Sequence, residues 1–224
     1  MKKLFYILTV LFFCLTSCWQ QSERIIRFHS DIAIDTNGRI EVAENIKVYA
    51  AGKEIKRGIY RMIPLSRKNN KGQSVPVDYK VLAVKCNGAE SKYHTKKEGG
   101  NLFIYIGDAN VLLKAGEYDY VIVYESYGQI GFFDDFDELY WNVTGDWGFP
   151  IEKASATITL PGKAKGIKSA CYTGVKGSTE KNCTTEDSGN IQVFTTTRPL
   201  AAGEGFTVAA SFPRNIISRR TAGK

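Results

Sequence analysis

The sequence predicts an all-β protein, a β-sandwich with an immunoglobulin-like two-sheet architecture. Short runs rich in Val, Ile, Tyr, Phe and Thr are separated by Gly, Asn, Asp and Pro, which is typical of strands joined by turns. No segment after Cys18 keeps a helical hydrophobic period for three turns. About ten short strands in about 200 residues favour two packed sheets.

The alternating runs predict ten strands, of which the first two form the clearest hairpin. Asn37-Gly38 lies between them, and this dipeptide is the strongest short signal for a tight β-turn. Asn87-Gly88 and Gly99-Gly100 mark later turns. The predicted strands are residues 24–34, 39–49, 58–63, 77–86, 102–106, 118–127, 154–160, 166–171, 191–196 and 206–212.

The N-terminus predicts export. A cationic start, an apolar stretch of about a dozen residues and small residues before Cys18 make up a secretory signal. The apolar stretch is shorter than the ~20 residues that a transmembrane helix needs. The segment Leu15-Thr16-Ser17-Cys18 resembles the bacterial lipobox, which implies that Cys18 is acylated, for example with palmitate. The expected organisation is a signal peptide (1–17), a lipid-anchored linker (18–23), a sandwich domain (24–213) and a loose basic tail (214–224).

This organisation places the mature protein in the cell envelope, outside the cytoplasm. An ordinary secretory signal with a chance cysteine is the alternative. In lipoproteins an Asp after the acylated Cys marks retention at the inner membrane, and here Trp19 follows Cys18. The outer membrane is therefore permitted, and the sequence leaves the leaflet open.

Charge narrows the range of partners. Removal of residues 1–17 takes away two lysines and no acid, so the formal charge falls from +7 to +5. Nucleic-acid binding usually needs a basic stripe with interleaved aromatics, so we expect no nucleic-acid partner. A basic surface that is only solvated is the simpler interpretation, and attraction to anionic lipid or glycan is the alternative. The expected partners are the membrane, through the anchor, and an envelope protein or glycan.

Three cysteines follow Cys18. Disulfides persist outside the cytoplasm, and we expect Cys171 to pair with Cys183 and close a Gly/Ser/Thr-rich loop. The competing pairings involve Cys86, which ends an apolar strand and is expected to be a buried free thiol. The sequence has no Cys-x-x-Cys, and its two histidines lack metal-ligand spacing. We therefore expect no metal and no cofactor.

One acidic residue breaks the hydrophobic pattern of the second strand. Period-two alternation in 39–49 places Glu44 on the inward face with Ile, Val, Ile and Val at the other even positions. An unpaired buried carboxylate is costly. We expect a partly buried, structural Glu44–Arg61 ion pair, and the alternative is a β-bulge that turns Glu44 to solvent.

Residues 134–151 combine acids with large aromatic residues. Two carboxylates and aromatic platforms could serve glycoside hydrolysis, and clustered Asp oxygens could hold calcium, although the segment lacks the calcium-loop pattern. The simpler interpretation is a long connection whose aromatics plug one end of the sandwich. As a binding surface, its candidate residues are Asp134, Asp135, Glu138, Tyr140, Trp141, Asn142 and Trp147.

Several blocks resemble the YciQ-like predicted membrane proteins, domain of unknown function 2207. The main block is Glu138–Gly145 (ELYWNVTG), with Trp147 and Pro150-Ile151 after it. Other blocks keep the same order and extend the resemblance over residues 24–213: Val42-Ala43-Glu44, residues 57–64, Ile106-Gly107, Tyr118-Asp119-Tyr120, residues 171–174 with Cys183, and residues 200–208.

The resemblance implies an exported, β-rich domain of unknown function without established catalytic residues. Typical members continue into membrane helices and a low-complexity cytoplasmic tail, whereas this sequence ends at Lys224 and carries a lipobox. We therefore expect a short form, standalone or truncated, in which acyl chains supply the tether.

The function expected from the sequence is an envelope binding module without catalytic activity, which recognises its partner through Tyr140, Trp141 and Trp147. One alternative is a carbohydrate-active hydrolase that uses Asp134, Asp135 or Glu138. Another is a structural subunit of a membrane complex.

Overall fold

The computed structural model describes residues 22–69 and 71–218, and all of the regular structure in these residues is β-strand. The sequence prediction of an all-β sandwich-like fold is confirmed. The expected signal peptide and Cys18 lie outside the described residues. The strands are β1 Arg24–Ile34, β2 Arg39–Ala50, β3 Gly58–Pro64, β4 Ser66–Lys68, β5 Ser74–Pro76, β6 Asp78–Cys86, β7 Ala89–Glu90, β8 Tyr93–Glu98, β9 Asn101–Gly107, β10 Gly116–Tyr127, β11 Ile130–Phe132, β12 Asp137–Asn142, β13 Ala154–Thr159, β14 Lys168–Gly174, β15 Cys183–Ser188, β16 Ile191–Thr196 and β17 Gly205–Phe212.

The strands form one large and three smaller sheets. The large sheet has the order β15-β16-β13-β1-β2-β10-β6-β7, and the others are β11-β12-β17-β14, β3-β9-β8 and β4-β5. β1 and β2 form the antiparallel hairpin that the turn sequence predicts, while β1 and β13 pair in parallel. The long strands β2 and β10 pair along their full length at the centre of the large sheet.

One hydrophobic cluster joins the inner faces of the large, four-stranded and three-stranded sheets. Along β2 every second residue is buried, as expected for a sheet with one face on the core. Phe28 on β1, Ile104 on β9 and Phe206 on β17 each have 0% exposed surface in this cluster. The four-stranded and three-stranded sheets therefore cover the inner face of the large one.

The disulfide between Cys171 and Cys183 is present, as the sequence analysis expected. Cys171 lies on β14 of the four-stranded sheet, and Cys183 begins β15 at an edge of the large sheet. The bond therefore ties the two sheets together at one end. Cys86 is free and half-buried rather than buried.

The two ends of the described chain lie at opposite ends of the β1–β2 hairpin. Glu23 accepts hydrogen bonds from the backbone that follows β2. At the far end, Ser218 donates to the carbonyl of Thr36 over 2.8 Å, and Ile217 is 4% exposed. The described part of the expected loose tail is thus packed, because Ile217 supplies an apolar side chain to the hairpin tip.

Candidate functional site

Glu44 and Arg61 form a fully buried, bidentate ion pair. Arg61 Nε donates to Glu44 Oε2 over 2.8 Å and Nη2 to Oε1 over 2.9 Å, and the side chains are 0% and 3% exposed. Burial by itself would lower the pKa of Arg61, but the charge of Glu44 raises that pKa above its ordinary value. The pair forms between the predicted partners and is more deeply buried than the sequence suggested.

Arg61 also fixes the segment that follows β12. Its Nη2 donates to the carbonyl of Val143 over 3.0 Å. Gly145 has a φ of +70°, and a Cβ there would lie 2.5 Å from Arg61 Nη1. Only glycine combines this backbone conformation with so close an approach. Arg61 therefore links the large sheet, through Glu44, to the aromatic segment.

Hydrogen bonds hold the rest of that segment in place. Trp147 Nε1 donates to the carbonyl of Thr144 over 2.7 Å, and the Thr144 hydroxyl accepts from the amide of Phe206. The Trp147 ring packs edge-on against Phe28, with centroids 6.2 Å apart. The Asn142 side chain accepts from the amide of Gly145. Most of the Asn-Val-Thr-Gly-x-Trp block therefore has a direct structural role.

A tyrosine network completes the buried centre. Tyr124 donates its hydroxyl hydrogen to Glu44 over 2.7 Å, and its ring packs against that of Tyr79. Burial, together with the charge of Glu44, raises the pKa of Tyr124 well above its ordinary value. Burial raises the pKa of Tyr79 to about 12, and Gln129 donates to its hydroxyl. Both tyrosines are therefore held neutral in the folded protein.

The strand β12 was not predicted, and it divides the aromatic segment into two faces. Residues 134–151 are therefore not one long connection. Leu139 and Trp141 point inward, with 0% and 4% of their surfaces exposed, whereas Tyr140 points outward and is 58% exposed. Successive side chains on a strand face opposite sides of the sheet. The alternation was present in the sequence and predicts this division.

The outward face of β12 lies in a groove of three adjoining hollows, which we call the Tyr140 groove. Tyr140 lines all three, and their volumes are about 380, 150 and 300 Å³. The β4–β5 hairpin borders the first hollow and the disulfide-closed loop borders the third. The polar and aromatic lining residues include Arg67, Lys68, Asn69, Gln129, Glu138, Asn142, Asp146, Tyr172 and Lys176.

The structure brings only some of the predicted binding residues to this groove. Glu138, Tyr140 and Asn142 share its face. Trp141 and Trp147 are 4% and 8% exposed, so the expectation that both indoles form the recognition surface needs correction. Their rings fill the core instead, because the inward face of β12 and the loop after it cover the large sheet.

The acids of the segment lie in different settings. Asp134 and Asp135 are exposed in the turn between β11 and β12. Asp137 is buried on the inward face, whereas Glu138 faces outward and accepts a hydrogen bond from Ser211 over 2.9 Å. Adjacent strand residues cannot share one cleft. This placement gives no support to paired-carboxylate chemistry.

Two further kinds of feature are absent from residues 22–69 and 71–218. No group of three or more His, Cys, Asp or Glu side chains in these ranges is arranged to hold a metal ion. No helix there has the length and apolar character needed to span a bilayer.

Comparison with known proteins identifies relatives over most of the chain. The family model "Predicted membrane protein (DUF2207) N-terminal domain" matches residues 24–212. The uncharacterized protein YciQ of Escherichia coli (strain K12) is 29% identical over 203 residues, which cover 89% of this chain and 32% of YciQ. The chain thus spans less than half of the length of this relative.

Comparison with solved structures gives matches at low sequence identity. Native yeast LTA4 hydrolase matches with a TM-score of 0.51 and 8% identity, over 84% of this chain and 29% of that chain. A putative protease from Parabacteroides distasonis matches with a TM-score of 0.47 and 10% identity, over 84% of this chain and 40% of that chain. At 8% identity, the likeness to yeast LTA4 hydrolase concerns the fold alone.

Proposed function

Because the chain belongs to the family of predicted membrane proteins with the DUF2207 N-terminal domain, we propose that it is a binding module of the bacterial cell envelope. In this proposal, acyl chains on Cys18 tether the domain outside the cytoplasm, and the Tyr140 groove recognises an envelope protein or glycan. The observation that carries the proposal is the exposed ring of Tyr140, which stands among three adjoining hollows.

The rigid support behind the groove favours a binding role. Tyr140 lies between two buried residues, Leu139 and Trp141, which fix the backbone of the strand at its position. Asn142 then accepts a hydrogen bond from the amide of Gly145 in the turn that follows. A ring held in place loses little conformational entropy on binding. Tyrosine and arginine are also enriched among the residues that dominate binding energy.

The charge of Arg67 favours an acidic or strongly polar partner. Its guanidinium donates to the carbonyls of Gly128 and Ile130 over 2.6 and 2.8 Å. Within the described residues no carboxylate forms an ion pair with it. Burial lowers the pKa of Arg67, which reflects the cost of this uncompensated charge. An anionic group in the groove would offset that cost.

Matched tyrosine substitutions test the recognition surface. Tyr140→Ala removes the central ring, and Tyr60→Ala removes a ring of similar exposure, 55%, on the three-stranded sheet. The ligands are detergent-solubilised envelope proteins in one arm and purified cell-wall glycan in the other. We expect Tyr140→Ala to weaken binding in one arm by roughly tenfold or more, as for a hot-spot residue, and Tyr60→Ala to leave it unchanged. Equal losses, or none, would contradict the groove as the site.

The anchor is tested separately by metabolic labelling. Cells that express the full chain incorporate labelled palmitate into a protein of this size if Cys18 is acylated. The variant Cys18→Ser should lose the label, whereas Cys86→Ser should keep it. Label that persists in Cys18→Ser would show that the lipobox interpretation is wrong.

A further inference from the structure

Two loops lie together at the end of the domain where the N-terminal segment enters. Residues 51–57 connect β2 to β3, and residues 108–115 connect β9 to β10; we call them the loop pair. Leu113 donates its amide hydrogen to the carbonyl of Lys56 over 2.8 Å. Gly58 and Gly107 pair directly at the base of the loops. The two loops therefore leave the sheet side by side.

Glu23 holds the N-terminal segment against the loop pair. Its carboxylate is 8% exposed and accepts backbone hydrogen bonds from Ala51, Lys53, Glu54 and Ile55 over 2.7–3.1 Å. Cys18 precedes Glu23 by five residues. A chain of that length reaches at most ~18 Å. A lipid on Cys18 would therefore hold the loop pair close to the bilayer.

The loop pair carries unbalanced positive charge. Lys53, Lys56, Arg57 and Lys114 are exposed. None of them forms an ion pair with another residue of the described ranges, in contrast to Lys92, which pairs with Asp108 over 2.6 Å. Glu54 is the one acid of the two loops without such a pair. This charge is complementary to an anionic lipid surface.

Two apolar side chains project from the same loops. Val111 and Leu112 are adjacent and 53% and 65% exposed. Leu112 is the most exposed large hydrophobic residue of the described chain. An apolar tip beside basic residues is the composition of segments that lie in a membrane interface.

We propose that the loop pair docks the domain on an anionic bilayer. Lys53, Lys56 and Arg57 contact the lipid headgroups, and Val111-Leu112 inserts between them. The proposal rests on the lipid anchor of the proposed function and adds an orientation to it. The hairpin tip at Asn37-Gly38, at the other end of β1 and β2, then points away from the membrane.

Fluorescence quenching in vesicles tests the orientation. The full lipidated chain, in a Cys86→Ser background, is reconstituted into vesicles of phosphatidylglycerol and phosphatidylethanolamine that contain spin-labelled lipid. A bimane label is placed by Leu112→Cys or, as the matched control, by Thr36→Cys at the hairpin tip. We expect spin-labelled lipid to quench the label at position 112 and not at position 36.

Neutralising the basic residues of the loop pair should release the domain from the membrane surface. Each basic residue near an anionic surface contributes roughly fivefold to binding. The triple variant Lys53→Gln, Lys56→Gln, Arg57→Gln should therefore shift the ratio of docked to undocked protein by on the order of a hundredfold. Vesicles of phosphatidylcholine alone should give the same loss of quenching at position 112.

Each contrary outcome has a distinct meaning. If the protein floats with the vesicles but positions 112 and 36 are quenched equally, the docking proposal is wrong and the anchor stands. If the protein does not float, the anchor and the docking both fail. If the label at position 112 responds to protein concentration without lipid, the loop pair contacts a second copy of the chain, and docking on lipid is overturned.

Discussion

The two faces of β12 place neighbouring aromatic residues in opposite environments. Trp141 on the inward face is 4% exposed in the shared core, next to the loop that Arg61 holds, whereas Tyr140 on the outward face is 58% exposed in an open groove. The inward face shapes the segment and the outward face is free to bind. In a strand rich in aromatic residues, packing against the core can therefore account for most of the aromatic side chains. Only the alternate, outward-facing residues are then available for recognition.

The largest expected effect on stability comes from breaking the buried Glu44–Arg61 pair. Arg61→Met leaves Glu44 charged and without its bidentate partner, which should lower the free energy of unfolding by about 3–5 kcal/mol. Chemical denaturation followed by circular dichroism measures the loss. As a control, Arg24→Met breaks a partly exposed pair with Glu152 and should cost less than about 1 kcal/mol.

The double variant Glu44→Gln, Arg61→Met sharpens this result. It removes the buried charge as well as its partner, so its cost should be smaller than the sum of the two single substitutions. Strict additivity would argue that the two side chains do not interact as the structure has them.

Alanine substitutions compare the two faces of β12 directly. Trp141→Ala should cost about 3–5 kcal/mol of stability, because it empties a buried site. Tyr140→Ala should change stability by no more than about 0.5 kcal/mol, because its ring is mainly in solvent. Thermal unfolding of both variants measures the difference. Similar losses would mean that the outward face also contributes to packing, which would weaken its assignment as a binding surface.

Alkaline pH should destabilise the buried centre through its tyrosines. In the folded protein burial raises the pKa of Tyr79 to about 12, while in the unfolded chain it ionises near its ordinary value of ~10. The stabilising contribution is therefore complete below pH ~10 and is lost as the pH rises toward 12, by up to about 1.4 kcal/mol for each pH unit. Denaturation between pH 9 and 12 should show a smaller slope for Tyr79→Phe than for the parent.

A smaller effect is expected at the turn that follows β12. Gly145→Ala places a Cβ at a φ of +70° beside Arg61, and the backbone conformation by itself should cost about 1–2 kcal/mol. Gly203→Ala has a similar φ of +81° with open space around it. A greater loss at Gly145 than at Gly203, measured by denaturation, reports the contact with Arg61. Equal losses of stability would show that the Arg61 side chain moves aside for the new Cβ at no measurable cost.

Alternation made the central strands predictable. β1 and β2 match the sequence prediction within one residue, since β2 buries every second side chain, β1 does so from Phe28 onward, and Asn37-Gly38 joins them. The same alternation along β2 predicted that Glu44 is a buried acid. β8 and β15 were missed because nearly all of their residues are exposed, so no apolar period marks them. The parallel pairing of β1 with β13 brings together residues about 130 positions apart, which no local pattern encodes.

The candidate site was predictable in part. The sequence drew attention to Glu138, Tyr140 and Asn142, which do share the outward face. The prediction that Trp141 and Trp147 form the recognition surface is wrong because it rests on aromatic content, whereas the alternation of Leu139, Trp141 and Val143 indicates an inward face. The β4–β5 hairpin, which supplies Arg67, carries no clear strand pattern of its own.

The positions of Glu23 and Ser218 determine how the domain would respond to mechanical force. Glu23 and Ser218 are held at opposite ends of the β1–β2 hairpin. Tension between a membrane tether at one end and a partner at the other would run along β1 and load its two ladders in shear. Antiparallel ladder bonds lie across the strands, so many must break together. We therefore expect single-molecule pulling through Glu23 and Ser218 to need greater force than pulling across the hairpin tip.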